Sequence, residues 1–158
     1  MGVTEAGQKP KMKTFHHSDF SVSVPIDWEE TRDSNDETVV LASQNGKDRL
    51  TISVMYFKAG VKNDDIRKSF GNYLEARRKA EISETNGKIT LTEAKVNDGG
   101  DYLFTKYGGY EKAIDRRFIA LITAEKLKLF TFYVESTGTN DSHVNDLAAK
   151  TFDSIEVK

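Results

Sequence analysis

The chain has 158 residues, of which 37% are hydrophobic and 30% charged. A chain of this length can bury roughly 70% of the surface it exposes when unfolded, so it can form one core without a metal or disulfide, and wholesale disorder is disfavoured. Twenty-three basic against twenty-five acidic residues, a formal charge of -2 and no cysteine argue against a long-range positive field for nucleic acid, a thiol nucleophile and a Cys-containing zinc site.

From the N-terminus, residues 1–14 read as a flexible arm, polar and without apolar period, and the single domain is expected over 15–158. The arm fits a native tail or the remnant of a trimmed export signal, so a cytoplasmic and an exported location are both open. No stretch has the ~20 consecutive apolar residues of a membrane span, and a soluble chain is expected. Phe20, Val22 and Val24 alternate with Ser21 and Ser23, which predicts a strand with one buried face, ended by Pro25. Trp28 is expected to pack at the sheet edge, and the acidic run Glu29 to Glu37 to form a solvated loop. Thr38 to Ser43 and Leu50 to Phe57 form a predicted hairpin, because Asn45-Gly46 can supply the positive φ angles of a tight turn.

From Asn63 the apolar period lengthens. Ile66, Phe70, Tyr73, Leu74 and Ala80 share one helical face, with Asn63 or Asp64 as the expected cap and Asp64 and Asp65 suited to the positive end of the dipole. Four β-rich runs follow, over Lys88 to Val96, Tyr102 to Tyr107, Ala113 to Ala124 and Leu127 to Glu135. Asn97-Asp98-Gly99-Gly100, Gly108-Gly109 and Glu125-Lys126 are the expected turns of an antiparallel meander. The last two runs are apolar on both faces, as in strands covered by a layer on each side. A second helix is predicted from Asn140 or Asp141, burying Val144, Leu147, Ala148 and Phe152, and Ile155 and Val157 suggest a short closing strand.

The chemistry-bearing residues do not form a motif. His16-His17 point to opposite faces if on a strand, and His143 is distant, so a three-histidine metal site lacks ligand spacing. Asp33, Asp36 and Glu37, and the pair Asp64 and Asp65, do not match the calcium-loop pattern, and no metal or cofactor is expected. No Gly-x-Ser-x-Gly elbow is present, and Gly99-Gly100 and Gly108-Gly109 lack the context of phosphate loops, so no catalytic residues are nominated. The clusters Arg77-Arg78-Lys79 and Arg116-Arg117 have acidic neighbours in Glu75, Glu81 and Asp115 and read as solvated faces. Tyr107 and Tyr110, flanking Gly108-Gly109, are the candidate protein-binding residues, because aromatics beside a flexible turn offer contact area at low conformational cost.

The segment Phe20-Ser21-Val22-Ser23-Val24-Pro25-Ile26-Asp27-Trp28, followed by a middle helix, a late strand meander and a terminal helix with Ser154-Ile155-Glu156-Val157, resembles the PsbP-like superfamily over about Phe15 to Lys158. The resemblance implies an α/β fold, a three-layer α/β/α sandwich around a mainly antiparallel sheet. That fold is used by photosystem extrinsic subunits, a Ran-binding nuclear-transport factor and bacterial secretion-effector chaperones. These are mostly binding functions. The expected role is thus a noncatalytic protein-binding or assembly module whose partner is another protein. The alternatives are a cytoplasmic chaperone for an apolar segment of a bacterial secreted effector, and an enzyme with a dispersed active site.

Overall fold

A computed structural model describes residues 11–35 and 37–158. The expected arm lies largely outside them. The first strand, β1 (Met12–His16), already begins before Phe15 and pairs along its whole length with β2 (Phe20–Pro25), so the expected boundary at residue 15 falls inside a strand.

Further strands are β3 (Glu29–Glu30), β4 (Thr38–Ala42), β5 (Asp48–Tyr56), β6 (Thr90–Leu91), β7 (Asn97–Asp98), β8 (Tyr102–Glu111), β9 (Arg116–Glu125), β10 (Lys128–Thr137) and β11 (Glu156–Val157). Helix α1 spans Asn63–Glu84 and α2 spans Asp141–Asp153. The main sheet runs β3-β4-β5-β10-β9-β8-β6, with β7 also on β8, and a smaller sheet is ordered β1-β2-β11. Every pairing is antiparallel.

Strand alternation sends successive side chains to opposite faces, and each face builds its own core. On one face lies α1, whose Phe70 and Leu74 pack with Leu103, Phe118, Ile122 and Leu129. On the other lie α2 and the small sheet, with Phe20, Val22, Val24, Val144 and Leu147 against Ile52, Phe132 and Val134. Phe20 meets the rings of Phe130 and Phe132 edge-on at 6.2 and 5.8 Å. A fully buried side chain of this kind contributes roughly 1.5–3 kcal/mol relative to exposure. The architecture is the expected three-layer sandwich, with one outer layer made jointly by a helix and a second sheet. Trp28 belongs to this second core, 2% exposed.

Local signals place several joints as expected. Gly46 has φ 72° in the β4–β5 hairpin, and the Asn140 carboxamide accepts the His143 backbone N–H at 2.8 Å to cap α2. Others move. The cap position of α1 is Lys62, with no side-chain bond, while Asp64 and Asp65 lie in the first turn. Only Thr90–Leu91 of the Lys88 to Val96 run forms a ladder. The β9–β10 turn is Lys126-Leu127, with φ 53° and 62°, one residue later than Glu125-Lys126.

The largest correction concerns Gly108-Gly109, which form no turn. Both lie inside β8, opposite Ile119 and Phe118 of β9, and the chain reverses at a short 3-10 turn, Lys112–Ile114, followed by Asp115 at φ 50°. A Cβ on Gly109 would enter the Phe118 ring, and one on Gly108 would stand 3.1 Å from the Phe118 carbonyl oxygen. Close approach, and not turn geometry, requires these glycines.

Candidate functional site

Tyr107 and Tyr110, three residues apart on one strand, point through opposite faces of the sheet. Tyr107 is 2% exposed among the residues facing α1, so its ring offers no surface for a partner, contrary to the sequence expectation. Its hydroxyl donates to both carboxylate oxygens of Glu81, at 3.1 and 3.2 Å. Tyr110 is half-buried on the other face, with the Arg117 guanidinium 4.4 Å from its ring centre.

Around Tyr107 the α1 face carries an ionic network that periodicity does not reveal. Arg77 Nε lies 3.5 Å from Glu81, and its guanidinium rests 5.2 Å from the Tyr133 ring centre. Tyr133 stacks on Phe118 at 4.6 Å, and its hydroxyl accepts from Arg116 Nη1 at 2.7 Å. Arg116 also pairs with Glu111 at 3.0 Å and Glu135 at 3.2 Å. Burial pushes the Glu81 carboxyl above its ordinary range, against the opposing pull of Arg77 and Tyr107. Burial also raises the Tyr107 and Tyr133 hydroxyls, while Tyr133 and the carboxylates Glu111 and Glu135 outweigh burial and keep Arg116 firmly charged. At the C-terminal end of α1 the network opens into a polar cleft of about 400 Å³ that also contains Arg49, Thr51 and Glu84.

On the opposite face, α2 packs over β9, β10 and β2 but does not extend across β8. The uncovered strip forms a groove of about 460 Å³ lined by Lys106, Gly108 and Tyr110 of β8, Ile119 of β9, and Val144 and Asn145 of α2. Gly108 keeps its floor low. Arg117 at one end is held by Asp115 at 2.6 Å and Asp141 at 2.8 Å, whereas Lys106 is exposed and has no carboxylate within 4.0 Å among the described residues.

The structure also gathers a serine, an aspartate and a histidine. Ser136 Oγ donates to Asp48 at 2.5 Å, and His143 Nε2 contacts the same carboxylate at 2.9 Å. The aspartate sits between the other two, so the imidazole has no contact through which to take the serine proton. Ser136 is also fully buried. This trio ties α2 to β5 and β10. His17 instead accepts the Asp19 N–H at 3.1 Å and stacks on Phe20, so the histidines do not converge. Among the described residues no three His, Cys, Asp or Glu side chains form a metal-binding group. Asp64 contacts Arg67 at 3.4 Å and Asp33 approaches Arg49 at 4.0 Å, while Asp36 lies outside the described residues. No helix among the described residues is long and apolar enough to cross a membrane.

No family model matches the sequence, and no curated protein matches it. The structure is similar to the solution structure of cyanobacterial PsbP (CyanoP) from Synechocystis sp. PCC 6803, with TM-score 0.66 and 15% identity, covering 96% of this chain and 95% of that one. It is also similar to a crystal structure from Bacteroides thetaiotaomicron VPI-5482, with TM-score 0.53 and 15% identity, covering 96% of this chain but 49% of that longer one. Helices on both sides of an antiparallel sheet, matched over nearly the whole chain, give the protein a PsbP-like fold.

Proposed function

We propose that this chain is a noncatalytic protein-binding or assembly module that holds a segment of a partner protein in the groove between α2 and β8. The observation that carries this reading is the strip of β8 beyond the reach of α2, with an apolar base at Ile119 and Val144 and an unpaired cation, Lys106, among the described residues. A groove of about 460 Å³ is the size of a ligand site. An extended segment lying in it places an apolar side chain over Gly108 and an acidic one beside Lys106. The chaperone reading uses the same groove and differs in requiring a wholly apolar segment.

The test is co-purification of the protein from its own cells, with K106E and N145W variants that reverse the rim charge and fill the groove at exposed positions. A partner retained by the parent and lost by both folded variants supports the groove. Unchanged recovery by both variants removes it, and turnover of a defined substrate removes the noncatalytic part. Crosslinked peptides from the partner then separate an acidic segment from an apolar one.

A further inference from the structure

On the α1 face, four charged residues of alternating sign cross the sheet: Arg49 on β5, Glu135 on β10, Arg116 on β9 and Glu111 on β8. Arg49 is directly opposite Glu135 in the strand register, and Glu111 directly opposite Arg116. Arg116 satisfies its two carboxylate neighbours. Arg49 is left with Asp33, 4.0 Å away and itself with a 69% exposed side chain.

Helix α1 supplies the other charged groups of the cleft, Arg77 and Glu84. Helix α1 ends at Glu84, with no basic residue in its last turn, although a helix C-terminus favours a cation. Glu84 has no cation within 4.0 Å among the described residues, and the negative end of the dipole adds to its charge. Arg77, on the same helix, lines the cleft with a half-exposed side chain, and its buried Nε has no hydrogen-bond acceptor. The cleft therefore has an unmatched negative pole at the end of α1 and an undersatisfied positive pole formed by Arg49 and Arg77. Tyr133 and Thr51, paired across β10 and β5, line the same cleft.

A simple anion entering this space meets Glu84, Glu111 and Glu135, and a simple cation meets Arg49 and Arg77. A ligand carrying both charges complements both poles. We propose that the cleft binds a small zwitterion of the amino-acid class, with its ammonium group at Glu84 and the α1 C-terminus and its carboxylate at Arg49 and Arg77. The site is separate from the partner groove and independent of it, because the main sheet lies between them.

The test is titration of the full chain with glycine, β-alanine, γ-aminobutyrate and ε-aminocaproate, which vary the spacing between the two charges, following backbone amide shifts by NMR. Butyrate and butylamine at matched ionic strength supply one charge at a time. At least one zwitterion is expected to shift the amides of Thr51, Glu84, Thr85 and Glu135 saturably, with neither single-charge compound doing so. R49Q and E84Q, both at solvent-accessible positions, are each expected to weaken that binding by about tenfold, the loss of one charged contact. The proposal is overturned if no zwitterion saturates, if butyrate or butylamine reproduces the shifts, or if both folded variants bind within about twofold of the parent.

Discussion

Each face of the main sheet carries a buried carboxylate, and the two are shifted in opposite directions. On the α2 face, Asp19 accepts a hydrogen bond from the Tyr56 hydroxyl and lies 3.0 Å from the Lys128 ammonium, and these contacts hold its carboxyl below the usual range despite burial. On the α1 face, Glu81 has Tyr107 and Arg77 as partners, yet burial prevails and its carboxyl rises. Asp19 meets a hydroxyl and an ammonium that donate directly, whereas Arg77 Nε, at 3.5 Å, makes no hydrogen bond to Glu81. Burying a carboxylate is tolerable in proportion to the donors aimed at it, and the two faces differ in that supply.

The largest expected effect comes from breaking the α1 face at its aromatic centre. Phe118 is 2% exposed, stacks on Tyr133 and meets Tyr107 edge-on at 5.8 Å. F118A should cost roughly 3–5 kcal/mol in chemical denaturation. A loss below about 1 kcal/mol would show that this face is not close-packed.

A smaller disturbance of the same place is Gly109→Ala, whose methyl group collides with the Phe118 ring. Overpacking of this kind should cost roughly 1–3 kcal/mol, and the same substitution at exposed Gly71, where nothing lies within 4 Å, should not destabilise the helix. Equal destabilisation by the two substitutions would remove close approach as the reason for Gly109.

The smallest and most discriminating effect is the dependence of stability on pH. The folded state holds the Glu81 proton more tightly than the unfolded chain, so this residue's contribution is most favourable below the ordinary value of 4.5 and is lost as pH rises through the folded value. Asp19 behaves in the opposite sense: its contribution is present above the ordinary 3.8 and is lost as pH falls through its lower folded value. Denaturation of the parent, E81Q and D19N across this range should show E81Q gaining on the parent as pH rises, and D19N gaining on it as pH falls. Parallel profiles for all three proteins would contradict the contrast between the faces.

Much of the fold was legible because its signals are local. The alternation of Phe20, Val22 and Val24, the helical spacing of Phe70 and Leu74, and the helix start at Asn140 or Asp141 each act over a few residues, and the structure places them as expected. The division of β2 and β11 from the main sheet was not legible, since period-2 alternation identifies a buried face without naming the sheet that buries it. Tyr107 and Tyr110 were found by residue type and proximity to glycine, but their assignment to opposite faces followed only once Gly108-Gly109 proved to lie inside a strand.

By itself the sequence determined the two helices, the main strands of the sheet, the two-sided burial of the central strands and the lack of cysteine. Tertiary structure decided what the polar residues do. Glu81, Tyr107, Arg77, Tyr133 and Arg116 come from α1, β8, β9 and β10, and only the packing of a helix across three strands brings their charges within reach of one another. The same packing explains Gly109: its missing side chain is required by a ring on the neighbouring strand, a contact that no pattern along one segment encodes.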